Sequence, residues 1–147
     1  MILSIKFSKN NYLSNFYPCN VKFDGVVYKS SEAAWQAQKT LDLEQRKKFC
    51  NCSASEAKKL GRRVKLRSDW EDIKYKLMVD VCYAKFSQNK ELEDKLKSTG
   101  TELLIENTTG WHDNIWGNCE CSKCTNKIGK NLLGKALMLV RFKLSSK

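Results

Sequence analysis

The chain has 147 residues, 41% of them hydrophobic and 29% charged, with a formal net charge of +11. That length suits one domain around one substantial core, and the balance is that of a soluble globular protein. No apolar run approaches the roughly 18 residues that cross a bilayer, which excludes a membrane-spanning helix.

The expected organisation is therefore a single compact domain over residues 1–147, of α+β class and mainly helical, with a small antiparallel hairpin or sheet. There is one proline, no linker, no repeat and no low-complexity tract. Seven cysteines, an odd number, follow a start with no signal-peptide apolar region, so the expected compartment is the reducing cytoplasm rather than a disulfide-forming one. The positive charge is local. Arg46, Lys47, Lys48, Lys58, Lys59, Arg62, Arg63, Lys65 and Arg67 face one acid, Glu56, so this stretch holds +8 of the +11. Either it is a solvated helical face, or it meets a phosphate-bearing partner, nucleic acid or a phosphorylated small molecule.

In chain order, residues 2–7 alternate like a strand. Leu13 to Pro18 reads as a turn, in which Asn15 either binds its own backbone or aims its amide into a pocket. Val21–Phe23 and Val26–Tyr28 flank Asp24-Gly25, a pair that accepts the positive φ of a tight hairpin. A helix follows, capped by Ser30 or Ser31. On it Glu32, Trp35, Gln36 and Lys39 share one face, while Ala33, Ala34 and Ala37 keep the other sides slim. A short basic helix covers Leu43 to Phe49. Ser53 to Glu56 has capping-box spacing and opens a helix that Gly61 closes. Ser68 to Glu71 repeats that spacing before the longest helix, to Gln88. Its stripe of Trp70, Ile73, Leu77, Val81 and Ala84, with Val79, Tyr83 and Phe86 off it, predicts burial on more than one side. A short helix (90–97), a strand (102–106), an ordered loop (107–130) and a final helix (131–142) complete the chain. Gly134 within that helix predicts close packing.

Three constellations carry candidate chemistry. Glu32, in a first helical turn, is placed to stay ionised as a base or as a partner for a developing cation. Lys39 is suited to bind phosphate or, if desolvated, to act as a nucleophilic amine. The segment from Trp111 to Asn118 gathers two tryptophans, the one histidine, an acid and two amides; flat indole faces suit a base or sugar, and His112 is a candidate acid–base group. Cys119, Cys121 and Cys124 read first as free thiols in a tight loop; their spacing could also supply three corners of a tetrahedral zinc site, with His112, Cys50 and Cys52 as candidates for the fourth. No cofactor is otherwise expected.

In this order, the segments resemble the YbiA-like or NADAR family. The matching pieces are Leu13 to Phe16, Asp24-Gly25 with Tyr28, Ser31-Glu32 with Gln36 to Lys39, Leu60 to Arg62, Asp69-Trp70 and the helix through Met78. Further on they are Leu104 to Glu106, Asp113 with Trp116-Gly117, and Gly129 to Gly134 through Leu137-Met138 to Arg141. The resemblance spans nearly the whole chain. It departs in the cysteine-bearing insert after Gly117, where plainer members have a glycine-rich turn.

The resemblance implies an N-glycosidase. Its substrates would be phosphoribosylamino-pyrimidine intermediates of riboflavin biosynthesis or, alternatively, ADP-ribosylated guanine, free or in nucleic acid. Both carry an exocyclic amine on ribose C1. Two routes stand open: an oxocarbenium-like state with Glu32 and Asp113 as the acid–base pair, or a Schiff base on Lys39. Trp35, Trp116 and Phe16 are assigned to the aromatic walls, with Gly117 beside them. Asn15, Gln36 and Asn131 are assigned to ribose hydroxyls, and Arg62 to phosphate. The rival from another class is a non-enzymatic, zinc-stiffened nucleic-acid-binding module. The oligomeric state is not legible.

Overall fold

In a computed structural model, residues 3–146 are described; Ile2, at the start of the expected first strand, lies outside them. The elements are β1 (Ser4–Phe7), β2 (Val21–Phe23), β3 (Val26–Tyr28), α1 (Ser31–Ala37), α2 (Leu43–Lys47), α3 (Ala54–Gly61), α4 (Trp70–Gln88), α5 (Lys90–Ser98), β4 (Leu103–Glu106) and α6 (Leu132–Ser145), with 3-10 turns at Lys48–Asn51 and Ser122–Cys124. The class is α+β. β2 and β3 form the expected antiparallel hairpin, Val21 opposite Tyr28, with Asp24 at φ 51° and Gly25 at φ 81° in its turn. Unlike the expectation of antiparallel pairing alone, β1 pairs parallel with β4, Ser4 opposite Leu103. Each strand alone is short and weakly patterned, so a pairing across the length of the chain leaves no local signal.

Helix α1 is capped by Ser30, whose Oγ accepts from the Ala33 amide at 3.1 Å. Ser31 instead donates to Asn15 Oδ1 at 2.8 Å. All seven residues of α1 are buried, so the slim alanine sides are packing surfaces. The Ser53–Glu56 capping box forms in both directions. The second expected box, Ser68 with Glu71, does not form: the cap of α4 is Asp69, one residue later and without a side-chain bond to the helix, its carboxylate taking Arg67 at 2.7 and 3.2 Å, while Glu71 accepts from Lys74. Gly61 does not close α3 through a left-handed turn either; the cap, Arg62, is right-handed.

Helix α4 is the central element, packed against α6, α1, β2 and α5. Its second half is buried over most of its circumference, through Met78, Val79, Val81, Cys82, Ala84, Lys85 and Phe86, with Asp80, Tyr83 and Ser87 half-exposed on the remaining side. That is the expected burial on more than one side, although Ile73, Leu77 and Tyr83 are only half-buried. Gly134 of α6 sits where a Cβ would lie 2.0 Å from the Leu104 carbonyl of β4, which bears out the close packing. No helix among the described residues is long and apolar enough to cross a membrane.

Lys85 is fully buried and was absent from every expectation. Its ammonium donates to the carbonyls of Tyr12 at 2.7 Å and Ser14 at 2.9 Å, and lies over the Phe86 and Tyr17 rings. Burial pulls its pKa down to about 8, against the opposing pull of Cys19 and Cys82. The 12–17 loop is thus pinned to the core by one amine. Lys85→Met should leave both carbonyls short of a donor and lower stability by about 1–3 kcal/mol. Urea unfolding checks the loss, and hydrogen exchange should show it concentrated in residues 12–17; equal or higher stability contradicts the brace.

Candidate active site

The braced loop delivers Ser14, Asn15 and Phe16 to one wall of a cavity of about 230 Å³. Helix α1 contributes Glu32, Trp35 and Gln36, with Lys39 just beyond it; the other walls come from Lys9, Lys58, Met78, Glu106, Trp111, Asp113, Trp116 and Leu133. Backbone also couples loop to helix, since the Glu32 amide donates to the Asn15 carbonyl at 3.0 Å.

Glu32 is buried, and Gln36 Nε2 donates to its Oε1 at 2.9 Å. Burial raises its pKa; the Gln36 bond, Lys58 and Lys39 pull it back, and Asp113 adds to the rise. Gln36 Oε1 is itself buried without a partner among the described residues. This amide is wedged by Gly61, where a Cβ would come within 1.9 Å of Gln36 Oε1. The glycine is required by the packing of α3 against α1.

Lys39 follows the C-cap Gln38 but still lines the cavity. Its ammonium lies 5.5 Å from the Trp35 ring and 5.9 Å from Trp70. It takes no part in the salt bridges among the described residues. Burial lowers its pKa, Glu32 opposes this, and Arg62 and Lys58 reinforce it. The indoles are fixed: Trp35 stands 5.0 Å from both Trp70 and Trp116, and its Nε1 donates to the Lys74 carbonyl at 3.1 Å.

Asp113 lines the cavity, with Oδ1 committed to the amides of Ile115 and Trp116 at 2.8 and 2.9 Å. That turn sets the position of Trp116. Asn15 accepts from Ser31 and aims Nδ2 at Met78 Sδ, 3.3 Å away, so its amide is anchored at the cavity wall.

Three assigned residues are elsewhere. Arg62 is exposed and off the wall, acting on Lys39 only through its charge; Lys58 occupies the wall instead. Gly117 is a packing glycine, its absent Cβ pointing at Thr108 and the Glu106 carbonyl. Asn131, at φ 52°, accepts from the Glu106 amide at 3.0 Å and donates to the Leu104 carbonyl at 2.8 Å. It ties α6 to β4 rather than meeting a ribose.

The sequence reading gave no role to Glu106, at the end of β4. Burial raises its pKa to about 7, with Asp113 and Glu32 adding to the rise and Lys58 opposing it. Its signal was an acid closing the apolar run Leu103-Leu-Ile. Lys9 was missed too; its ammonium lies 5.2 Å from the Phe16 ring and 5.3 Å from Trp111. The basic stretch divides. Arg46 is buried against the Thr40 carbonyl and Asp24, Arg67 is held by Asp69, and Arg63, Lys65 and Arg67 line a separate groove of about 580 Å³. For a metal, the thiols of Cys119, Cys121 and Cys124 meet His112; Cys50 lies in the 3-10 turn at Lys48–Asn51 and Cys52 caps it, and neither is part of that group.

A polar cavity walled by indoles, with carboxylates facing lysines, marks this as a small-molecule site on an α+β scaffold. The NADAR domain matches residues 5–145, and the chain belongs to that family. It is 38% identical over 135 residues to N-glycosidase YbiA of Escherichia coli, covering 90% of this chain and 80% of that one. A riboflavin biosynthesis protein of Vibrio vulnificus is 35% identical over 138 residues, 92% of this chain. This chain spans only 36% of that longer protein. The NMR structure of E. coli YbiA superimposes with a TM-score of 0.81 at 31% identity, over 99% of this chain and 88% of that one.

Gly61→Ala should displace the Gln36 amide and remove the largest influence holding the Glu32 pKa down. Carboxyl NMR titration should then show Glu32 titrating at higher pH than in the parent, with the helical circular dichroism retained. An unchanged Glu32 titration contradicts the wedge.

Proposed function

We propose that this protein is an N-glycosidase that hydrolyses the bond between ribose C1 and an exocyclic amine, acting on phosphoribosylamino-pyrimidine intermediates of riboflavin biosynthesis. The E. coli relative, an N-glycosidase, and the Vibrio relative, a riboflavin biosynthesis protein, support the reaction class and its setting. The observation that carries the reading is the meeting, in one cavity, of a buried carboxylate and a desolvated lysine that no acid claims.

That lysine favours the Schiff-base route. An exocyclic amine on C1 lets the ribose ring open to an imine. The Lys39 amine, once it has given up its proton, adds to C1 and passes an N–H proton to the substrate nitrogen; the substrate amine departs with a second proton from Glu106, and C1 stays bonded to Lys39 as an iminium. Water then adds to C1 and gives up a proton to Glu32. The hydroxyl proton passes to nitrogen as the C–N bond breaks with its electron pair going to Lys39, releasing the ribose aldehyde and the amine, and the proton held by Glu32 returns to Glu106 through solvent. One water is consumed and one glycosidic bond cut. In this reading Trp35 and Trp116 flank the base or sugar, and Asn15 and Gln36 orient the hydroxyls. Lys9 and Lys58, both beside Phe16, take the phosphate.

A second substrate is favoured by the basic groove. The Arg67 amide, at its edge, donates to the Lys39 carbonyl at 2.8 Å. A diphosphate such as that of ADP-ribosylated guanine would run from the cavity along that groove.

Incubation with each ribosylamine, read by mass spectrometry for released base, decides between them. Glu32→Gln should abolish release by either substrate with the fold intact. Base release by neither substrate, together with salt-sensitive DNA binding that survives Glu32→Gln, supports the binding-module rival. Borohydride during turnover should trap an adduct that Lys39→Ala lacks; no adduct in the parent rules out the Schiff base.

The pH dependence has a sign. Glu106 must hold its proton to serve the leaving nitrogen, so kcat/KM should fall as pH rises through about 7. Glu106→Gln should lower kcat/KM and remove that limb; a limb that persists assigns the proton elsewhere.

A further inference from the structure

The loop from Asn107 to Asn131 carries Trp111, Asp113 and Trp116 into the cavity, yet it has little regular structure. It holds one 3-10 turn and a single bridge between Asn107 and Asn118. Most of its residues lie outside the buried core, Trp116 packing on it only in part. A segment with so few apolar anchors needs another device to hold three wall residues in place.

That device is visible in the side chains. His112 Nδ1 lies 3.5 Å from Cys119 Sγ, 3.3 Å from Cys121 Sγ and 3.6 Å from Cys124 Sγ, and all four atoms fall within 4.8 Å of one another. Zinc–sulfur bonds of about 2.3 Å and a zinc–nitrogen bond of about 2.0 Å, at tetrahedral angles, put nitrogen and sulfur about 3.5 Å apart. The observed separations surround that value.

The backbone is shaped to produce this convergence. His112 adopts φ 57°, a left-handed conformation that costs a non-glycine residue energy and is retained where surroundings enforce it. Its amide and that of Trp111 both donate to the Thr108 carbonyl, turning the imidazole away from the cavity. The Cys119 amide donates to Asn114 Oδ1 at 2.9 Å. The Cys124 amide donates to the Cys121 carbonyl at 3.0 Å, so a 3-10 turn brings the last two thiols together. Cys119 and Cys124 are buried, and all three are free thiols.

We propose that His112 Nδ1 and the thiolates of Cys119, Cys121 and Cys124 hold one zinc ion in a closed tetrahedral site that fixes the cavity wall. Three thiolates and one imidazole form a soft donor set that selects zinc over magnesium or calcium. Four protein ligands leave no coordination position for water, so the ion is structural. Its effect on catalysis is positional, since His112 lies between Trp111 and Asp113. The site stands independently of the reaction assigned to the cavity.

The test is elemental analysis of the full chain, expressed with zinc supplementation and purified without chelator. About one zinc per chain is expected. The Cys121→Ser/Cys124→Ser variant should lose it, whereas Cys50→Ser/Cys52→Ser should keep it. To make the test independent of how the first variant folds, cobalt(II) is added to chelator-treated parent protein. Intense d–d bands and thiolate charge-transfer absorption support tetrahedral sulfur ligation; octahedral, weakly absorbing cobalt overturns it. Zinc well below one equivalent, iron or copper in its place, or zinc retained by the Cys121/Cys124 variant also overturns the proposal. Chelation should lower Tm and quench or shift tryptophan emission from the loop; an unchanged Tm overturns the structural role.

Discussion

Taking the Glu32 carboxylate out of water costs several kcal/mol unless its surroundings compensate, and the structure around α1 is organised by that cost. The helix is buried on every side, so it cannot turn the acid back to solvent. Compensation comes from the Gln36 amide and from the charges of Lys58 and Lys39. The amide is held in turn by the bare Cα of Gly61. One missing methyl group on α3 therefore governs the electrostatics of an acid on α1. The same close approach of the two helices brings Lys58 of α3 to the cavity.

Three lysines near this site show how environment separates identical side chains. Lys85 is buried too, yet two carbonyls saturate it and it serves as a brace for the loop bearing Asn15 and Phe16. Lys58 is half-buried and lies over the Phe16 ring. Lys39 is half-buried over indole faces, with the buried Glu32 acting on it through charge. A half-buried amine without a saturating partner is thus held differently from the fully buried brace.

Much of this was legible in the sequence where the signal was local. The hairpin at Asp24-Gly25, the capping box at Ser53–Glu56 and the mixed face of Glu32, Trp35 and Gln36 each depend on spacing within one or two turns. What was lost was long-range or shared. The parallel pairing of β1 with β4 has no local signature. Glu106 reads as an ordinary strand end until Glu32 and Asp113 are placed near it. Asn131 and Gly117 carry the residue types of a binding site but are consumed by packing across β4. The Ser68–Glu71 capping box failed because α4 is capped one residue later, at Asp69, and Glu71 accepts from Lys74 instead. Spacing proposes such bonds; competition decides them.

The division of labour between the two halves of the cavity follows. One wall, formed by α1, α3 and the 12–17 loop, is set by core packing: Lys85 below, Gly61 behind, and Trp70 against Trp35. It can hold Glu32 and Lys39 to a fixed geometry without help. The facing wall hangs on a loop whose apolar contribution is slight, and there the chain places three thiols and a strained histidine next to Asp113. A cross-link in that position costs little core volume and leaves the turn that caps Trp116 intact. Substrate selection is therefore more open to change on the loop wall than on the helical one, because the loop can be rebuilt without disturbing the buried carboxylate.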